Sequence, residues 1–109
     1  MDGGGFRVSG VRHEGSLLIL DDEPRAWSAT TLQGLSPDDF KDVFAAGARE
    51  VEFVLLGTGA VQGLPPRALR DALKAAGIGL EFMDTPSAAR VYNVLASEGR
   101  RFAAALIAI

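Results

Sequence analysis

The stretch that decides the fold covers residues 77–109 and reads GIGLEFMDTPSAARVYNVLASEGRRFAAALIAI. It predicts a strand at Ile78–Phe82, a helix that begins at Thr85 and ends at Gly99, and a second strand at Phe102–Ile109. This last strand is apolar almost throughout, which is typical of a strand buried on both faces of a sheet. The helix is expected to bury one stripe of side chains, at Ala88, Val91, Tyr92 and Leu95.

The same alternation of helix and strand extends upstream to Ser36. Ser36 followed by Pro37 is a typical helix start, and Gly47 is the expected end of that helix. Val51–Leu56 is then an apolar strand, and a second helix is expected to end at Gly77. Strands joined by short helical crossovers run parallel, so the pattern predicts a partly parallel sheet covered by helices.

The N-terminal part is richer in strands. Residues 1–5 are expected to form a flexible tail. Phe6–Ser9 and Ser16–Leu20 predict an antiparallel hairpin, and Arg25–Thr30 predicts a further strand. Between them, the polar run at residues 21–24 is expected to break the chain.

These elements predict a single α/β domain over residues 6–109, with a central mixed sheet, three helices and an added N-terminal β-hairpin. The chain has 109 residues, of which 48% are hydrophobic, and this is enough for one core. The side chains expected to be mostly buried are Trp27, Phe53, Leu55, Leu80, Phe82, Tyr92, Leu95 and Leu106.

Composition excludes several function classes. A net charge of −3 disfavours nucleic-acid binding, which depends on an excess of basic side chains. The chain has no cysteine, and His13 is its one histidine, so we expect no thiol chemistry, no multi-histidine metal site and no cofactor. It also lacks both a membrane-spanning apolar run and a signal-peptide pattern. A soluble, cytoplasmic domain is therefore expected.

Glycines mark the first of two polar corners that follow predicted strands. Gly57, Thr58 and Gly59 come directly after Val51–Leu56. Backbone N–H groups at such glycines, together with the Thr58 hydroxyl, would suit an anion. A tight turn at the strand end explains the same glycines, and the spacing matches no complete phosphate-binding motif.

The second corner comprises Asp84 and Thr85, with Arg90 one turn into the helix. Thr85 fits a helix cap, and Asp84 could cap the helix too. Asp84 and Arg90 fit a buried ion pair, or a polar anchor beside an arginine that grips an anion. Because the carboxyl ends of parallel strands share one edge of a sheet, the two corners are expected to form one cleft.

The order and spacing of short motifs along the chain resemble a small domain family of unknown function. Its best-known members are the mitochondrial respiratory complex I assembly factor 3 and the adipogenesis-associated domain protein. The matching segments are residues 15–20, Trp27, 54–59, 64–66, 77–79, 83–85, 88–95 and 98–101.

The resemblance implies a stand-alone bacterial member with a three-layer α/β domain and a hairpin set to one side. Family members have no established catalytic residues, so the resemblance implies a fold and an association with assembly rather than a mechanism. Relatives often place a cysteine just before the arginine of the last helix, where this chain has Ala89. Any thiol chemistry at that position is therefore excluded here.

Two functions from different classes follow. The leading hypothesis is a non-catalytic binding or assembly module with a protein partner. Arg100 and Arg101 are weaker partner-binding candidates, since basic residues after a helix also complement its dipole. The alternative is a binding protein or enzyme for a small anionic ligand, working in the cleft between the corners. The sequence leaves the oligomeric state open.

Overall fold

The computed structural model of the protein describes residues 6–8 and 11–109. Its elements, in chain order, are β1 (Phe6–Val8), β2 (Val11–His13), β3 (Leu17–Leu20), β4 (Glu23–Ala26), a 3-10 turn (Pro37–Phe40), α1 (Lys41–Glu50), β5 (Phe53–Gly57), α2 (Arg67–Ala75), β6 (Gly79–Met83), α3 (Thr85–Ser97) and β7 (Phe102–Leu106).

The central sheet is mixed, as the sequence predicted. Its five strands lie in the order β4-β3-β7-β5-β6. β5 pairs in parallel with both β6 and β7, so Val54 lies opposite Leu80 on one side and Ala103 on the other. β3 runs antiparallel to β7 and β4. β1 and β2 form a separate antiparallel pair.

Helices cover both faces of this sheet. On one face the 3-10 turn, α1 and α2 pack on alternate residues of the central strands, and on the other face α3 packs on the intervening residues. The first core contains Leu18, Phe40, Val43, Val54, Leu56, Leu69, Leu73, Ala103 and Ala105. The second contains Leu17, Ile19, Leu55, Ala88, Ala89, Tyr92, Ala104 and Leu106. Burial on both faces explains the continuous apolar runs in β5 and β7.

The expected helix after Ser36 differs in detail. It begins as a 3-10 turn in which the Asp39 carboxylate accepts a hydrogen bond from Ser36 N–H at 2.9 Å, and α1 follows from Lys41. Gly47 has a φ of 78°, so the regular helical conformation is interrupted there, although the helical turn continues to Glu50. The interruption falls at the glycine that the sequence marked as the helix end.

The predicted N-terminal strand pairing is wrong. β1 pairs with β2, whereas β3, which was expected to pair with Phe6–Ser9, pairs with β4 and β7. Asp21 and Asp22 do not break the chain. Their φ angles of 59° and 64° form the two-residue turn between β3 and β4, a turn whose twist suits a hairpin. The strand expected at Arg25–Thr30 therefore lies earlier, at Glu23–Ala26, and its position at the sheet edge tolerates Pro24.

Burial of the predicted core side chains is graded by position in the sheet. Leu55, Tyr92 and Leu106 are buried, whereas the others are half-buried: Trp27, Phe53, Leu80, Phe82 and Leu95. β6 is an edge strand, so its side chains lack a neighbour on one side. On α3 the buried stripe is Thr85, Ala88, Ala89 and Tyr92, with Val91 and Leu95 half-buried.

The N-terminal tail and the membrane-spanning potential of the helices complete the description of the fold. The tail at residues 1–5 and the end of the first strand at Ser9 lie outside the described residues. In the part of the chain that the structure describes, no helix has both the length and the apolar character needed to cross a bilayer.

Candidate functional site

The two predicted corners meet at the carboxyl ends of β5 and β6. Thr58 N–H donates to the Met83 carbonyl at 2.8 Å, which extends the pairing of the two parallel strands by one residue. Thr85 N–H donates to the Gly59 carbonyl at 2.8 Å, and Gly59 N–H donates to Thr85 Oγ1 at 2.9 Å. The loop after β5 is therefore bonded directly to the start of α3, and Gly57, Thr58, Gly59, Asp84 and Thr85 lie at one edge of the sheet.

Thr85 is the centre of this corner. It is fully buried, and its hydroxyl accepts from Gly59 N–H while donating to the Ile107 carbonyl at 2.7 Å. One side chain thus joins the ends of β5 and β7 to the first turn of α3. The interpretation of Thr85 as the helix cap is wrong, because Asp84 holds that position and its carboxylate accepts from Ser87 N–H at 2.8 Å.

Two different structural features explain why glycine occupies positions 57 and 59 in the first corner. A Cβ at Gly57 would lie 2.8 Å from Thr85 Oγ1 and 3.0 Å from Thr85 Cα, so a side chain there is excluded by the close approach of α3. Gly59 has open space around it but a φ of +108°, a conformation that other residues rarely adopt. Thr58 is buried, and its hydroxyl donates to the Val61 carbonyl at 2.7 Å.

Asp84 and Arg90 do not form the buried ion pair that the sequence suggested. Arg90 is exposed, and its Nη2 donates to Ser87 Oγ at 3.2 Å. The capping bond from Ser87 N–H is the main reason that the pKa of Asp84 lies below its ordinary value of 3.8, with a smaller effect from the Arg90 charge. The Asp84 carboxylate is thus held against the first turn of α3 by the helix cap, and Arg90 lies on the solvent side of the helix.

Most donors at this corner are already bonded within the protein. In the first turn of α3, Pro86 has no N–H, Ser87 N–H bonds the Asp84 side chain, and Ala88 N–H bonds the Asp84 carbonyl at 2.9 Å. An anion at this corner would therefore depend on the Arg90 guanidinium or would have to displace internal bonds. The anion-binding hypothesis stays a prediction.

A second region was not predicted from the sequence. It lies at the opposite end of the strands from the corner at the carboxyl ends of β5 and β6. It is a pocket of about 500 Å³ at the end of β3 and the start of β7. Its apolar lining comprises Leu20, Ala46, Val51, Ala96 and Phe102, and its charged lining comprises Asp21, Asp22, Glu23, Arg25, Glu50, Arg100 and Arg101. The lining residues, which also include Tyr92 and Gly99, come from three separate stretches of the chain, 20–25, 46–51 and 92–102, so no local sequence pattern predicts the pocket.

The arginines of this pocket are paired with carboxylates. Arg25 Nη1 lies 3.5 Å from Asp42 Oδ2. Arg101 Nη2 lies 2.9 Å from Glu52 Oε2, and Arg100 Nε lies 3.9 Å from Glu52 Oε1. Glu52 thus holds the arginine pair, which the sequence suggested as a partner-binding candidate, at the rim of the pocket.

Tyr92 connects the core to the pocket. Its ring is buried beneath α3, and its hydroxyl donates to Asp22 Oδ1 at 2.5 Å. Burial is the main cause of the raised pKa of Tyr92, and the hydrogen bond to Asp22 and the negative charge of that carboxylate add to it. Sequence reasoning placed Tyr92 correctly in the core, but it did not connect the tyrosine with the acidic turn 70 residues away.

Comparison with known proteins relates the whole domain to a family. Residues 1–107 match the family described as "Protein of unknown function (DUF498/DUF598)". A protein of Rhodobacter capsulatus, named as uncharacterized, is 42% identical over 106 residues, which are 95% of this chain and 77% of that protein. The Rpa2829 protein from Rhodopseudomonas palustris, solved by NMR, has a TM-score of 0.76 and 38% identity, and the match covers 93% of this chain and 74% of that one.

Assembly factors are also among the relatives. The NADH dehydrogenase (ubiquinone) 1 alpha subcomplex assembly factor 3 of Bos taurus is 36% identical over 104 residues. These residues are 94% of this chain but 55% of the bovine protein, so the chain spans about half the length of that relative.

Proposed function

The chain belongs to this family of unknown function, and we propose that it is a non-catalytic module that binds a protein partner in the assembly of a larger complex. The observation that carries the proposal is the 36% identity to an assembly factor over 94% of this chain. The similarity extends over 94% of this chain, so a surface that the matched part contributes in the assembly factor is expected to have a counterpart here.

The loop between β5 and α2 is the surface that best fits such a role. Val61 is 73% exposed and Leu64 is 64% exposed. Large apolar side chains close together on a surface are typical of protein contacts, since burying them in a partner removes apolar area from water. Two such residues within four positions are therefore the first place to look for a partner.

This loop is held in place by the domain beneath it. The Thr58 hydroxyl bonds the Val61 carbonyl at 2.7 Å, and Arg70 Nε donates to the Pro65 carbonyl at 3.0 Å. Gly63 packs so closely on Leu32 that an added Cβ would lie 2.6 Å from Leu32 Cδ2. A loop fixed at both ends loses little further conformational freedom on binding, which favours affinity.

The test is a pull-down from the source cells with the tagged chain as bait, scoring respiratory-complex subunits and their assembly proteins. The double variant Val61→Ser/Leu64→Ser should lose the enriched partner. Val94→Ser is the matched control, because Val94 is also 57% exposed but lies on α3. Absence of any enriched subunit or assembly protein contradicts the proposal. Equal enrichment by both variants would remove the loop as the contact surface.

The alternative proposal is an anionic small-molecule ligand at the corner of Gly57–Gly59 and Asp84–Arg90. It is supported by the exposed Arg90 beside the start of a helix. A thermal-shift screen with nucleotides, phosphates and carboxylates tests it. A ligand at about 100 times its Kd should add roughly 2.7 kcal/mol to the free energy of unfolding, and Arg90→Ala should abolish the shift.

The proposal also specifies the kind of partner and the compartment. With a net charge of −3, the chain suits a protein better than a nucleic acid. We propose that it works in the cytoplasm, in line with the composition of the sequence.

A further inference from the structure

We propose that the pocket at the β3–β4 turn binds a basic side chain, lysine or arginine, presented by a partner protein. The pocket lies at the opposite end of the strands from the exposed loop between β5 and α2, so it is a second surface. That the occupant belongs to a protein rests on the proposed function, whereas the preference for a cation rests on the pocket alone.

The shape of the pocket suits a side chain with an apolar stem and a charged end. Leu20, Val51 and Phe102 contribute apolar side chains to the lining of a cavity of about 500 Å³, and the acidic lining residues of the β3–β4 turn and the end of α1 are exposed. Lysine and arginine place their methylene groups on apolar surface and keep the charged end in a polar environment. The pocket offers both environments, because Leu20 and Phe102 are half-buried whereas the acidic lining residues are exposed to solvent.

Charge pairing decides the sign of the ligand. Asp42 compensates Arg25, whereas the single charge of Glu52 compensates only one of the two arginines Arg100 and Arg101. By contrast, Asp21, Glu23 and Glu50 take part in no ion pair among the described residues. Together with Asp22, these acids outnumber the one arginine that is left uncompensated, so the net charge of the lining and its ion-pair partners is negative.

A hydrogen bond from α3 holds the acidic turn between β3 and β4 in place. The Tyr92 hydroxyl bonds one oxygen of Asp22, which ties the turn between β3 and β4 to α3. Asp22 takes part in no ion pair among the described residues, so its negative charge stays available. A turn held in this way presents its carboxylates to an incoming cation without a large loss of conformational freedom.

The test uses blocked amino acids and two-dimensional ¹⁵N NMR of the intact chain. Nα-acetyl-lysine N-methylamide is the cationic ligand, the norleucine analogue has a similar stem without the charge, and the glutamate analogue carries the opposite charge. The lysine compound should shift the amide signals of Leu20, Val51 and Phe102 with a Kd of roughly 1–10 mM, as expected of so small a ligand. The arginine analogue should act in the same way.

Variants then test the acids. Asp21→Asn/Glu23→Gln should weaken lysine binding by about 5- to 20-fold, since each exposed charge pair contributes a factor of a few. Glu81→Gln is the matched control, because Glu81 is an exposed acid on β6 at the far edge of the sheet. Glu50→Gln probes the pocket from α1 and leaves the turn intact, so the prediction holds even where the double variant fails to fold.

The outcomes are distinct. Binding of the lysine and arginine compounds that is lost in the acid variants and kept in Glu81→Gln supports the proposal. Equal shifts with the norleucine compound, stronger shifts with the glutamate compound, no shifts up to 50 mM ligand, or unchanged binding in Glu50→Gln would each overturn it. Failure of the pull-down described above with intact lysine binding would refute the assembly role and leave the cation site standing.

Discussion

The hydroxyl of Thr85 provides the sharpest test of how this fold is held together. Replacing Thr85 with valine keeps the shape of the side chain but removes an oxygen that accepts from Gly59 N–H at 2.9 Å and donates to the Ile107 carbonyl at 2.7 Å. All three residues are buried, so no water takes the place of the lost oxygen without rearrangement.

The expected loss follows from the number of polar groups left without a partner. A buried N–H or C=O group without a hydrogen bond costs about 1–3 kcal/mol, so two such groups should lower the free energy of unfolding by about 2–6 kcal/mol. For a domain of this size, each kcal/mol corresponds to roughly 4 °C in Tm, and the variant should melt about 8–24 °C lower. Thr85→Ser keeps both bonds and loses one methyl group, which costs about 1 kcal/mol.

Urea unfolding followed by far-UV circular dichroism measures both variants against the parent. Fluorescence of Trp27, the one tryptophan of the chain, provides a second signal. The reasoning is refuted if Thr85→Val stays within about 0.5 kcal/mol of the parent, the range of ordinary surface substitutions. It is also refuted if Thr85→Ser is as damaging as Thr85→Val, because the loss would then come from packing.

Three further predictions concern other parts of the domain. Gly57→Ala should lower the free energy of unfolding by about 1–3 kcal/mol, because its Cβ would overlap the first turn of α3, whereas Gly15→Ala, with open space around it, should be nearly neutral in the same urea experiment. The free energy of unfolding of Arg90→Ala should stay within roughly 0.5 kcal/mol of the parent value. A loss of about 3 kcal/mol or more would instead support the buried ion pair with Asp84. Tyr92 is the one tyrosine, so absorbance at 295 nm reports its ionisation alone, and no tyrosinate should form in the folded chain near its ordinary pKa of 10.0. Since the folded pKa is raised, this group stabilises the fold fully below about pH 10 and the contribution is lost as the pH rises further, so Tyr92→Phe should flatten that alkaline loss of stability.

The candidate site was predicted in position but not in its bonding. The parallel arrangement of β5 and β6 follows from the helical crossover between them, and it brings Gly57, Thr58 and Gly59 beside Asp84 and Thr85 as expected. Which oxygen caps the helix was not predictable, since both Asp and Thr are good caps at adjacent positions. The short distance between α3 and the end of β5 decided it by burying the Thr85 hydroxyl between two strands.

The sequence by itself determined the alternation of helix and strand from Ser36 onward. Apolar spacing and glycine or proline at element ends are local signals, and burial of β5 and β7 on both faces is visible as continuous apolar runs. These signals depend only on residues that are close in the sequence, so they predict the helices and strands without knowledge of the fold.

Only the tertiary structure decided which strands pair with each other. Short N-terminal strands carry no signal for register, so whether β3 pairs with β1 or with β7, 80 residues away, depends on which pairing buries more apolar surface. The pocket is a consequence of the same long-range choice. Pairing β3 with β7 brings the Asp21-Asp22 turn beside Tyr92 and the arginines that precede β7. No pattern along the chain predicts this contact, because the free energy of folding depends on contacts in space and not on spacing in the sequence.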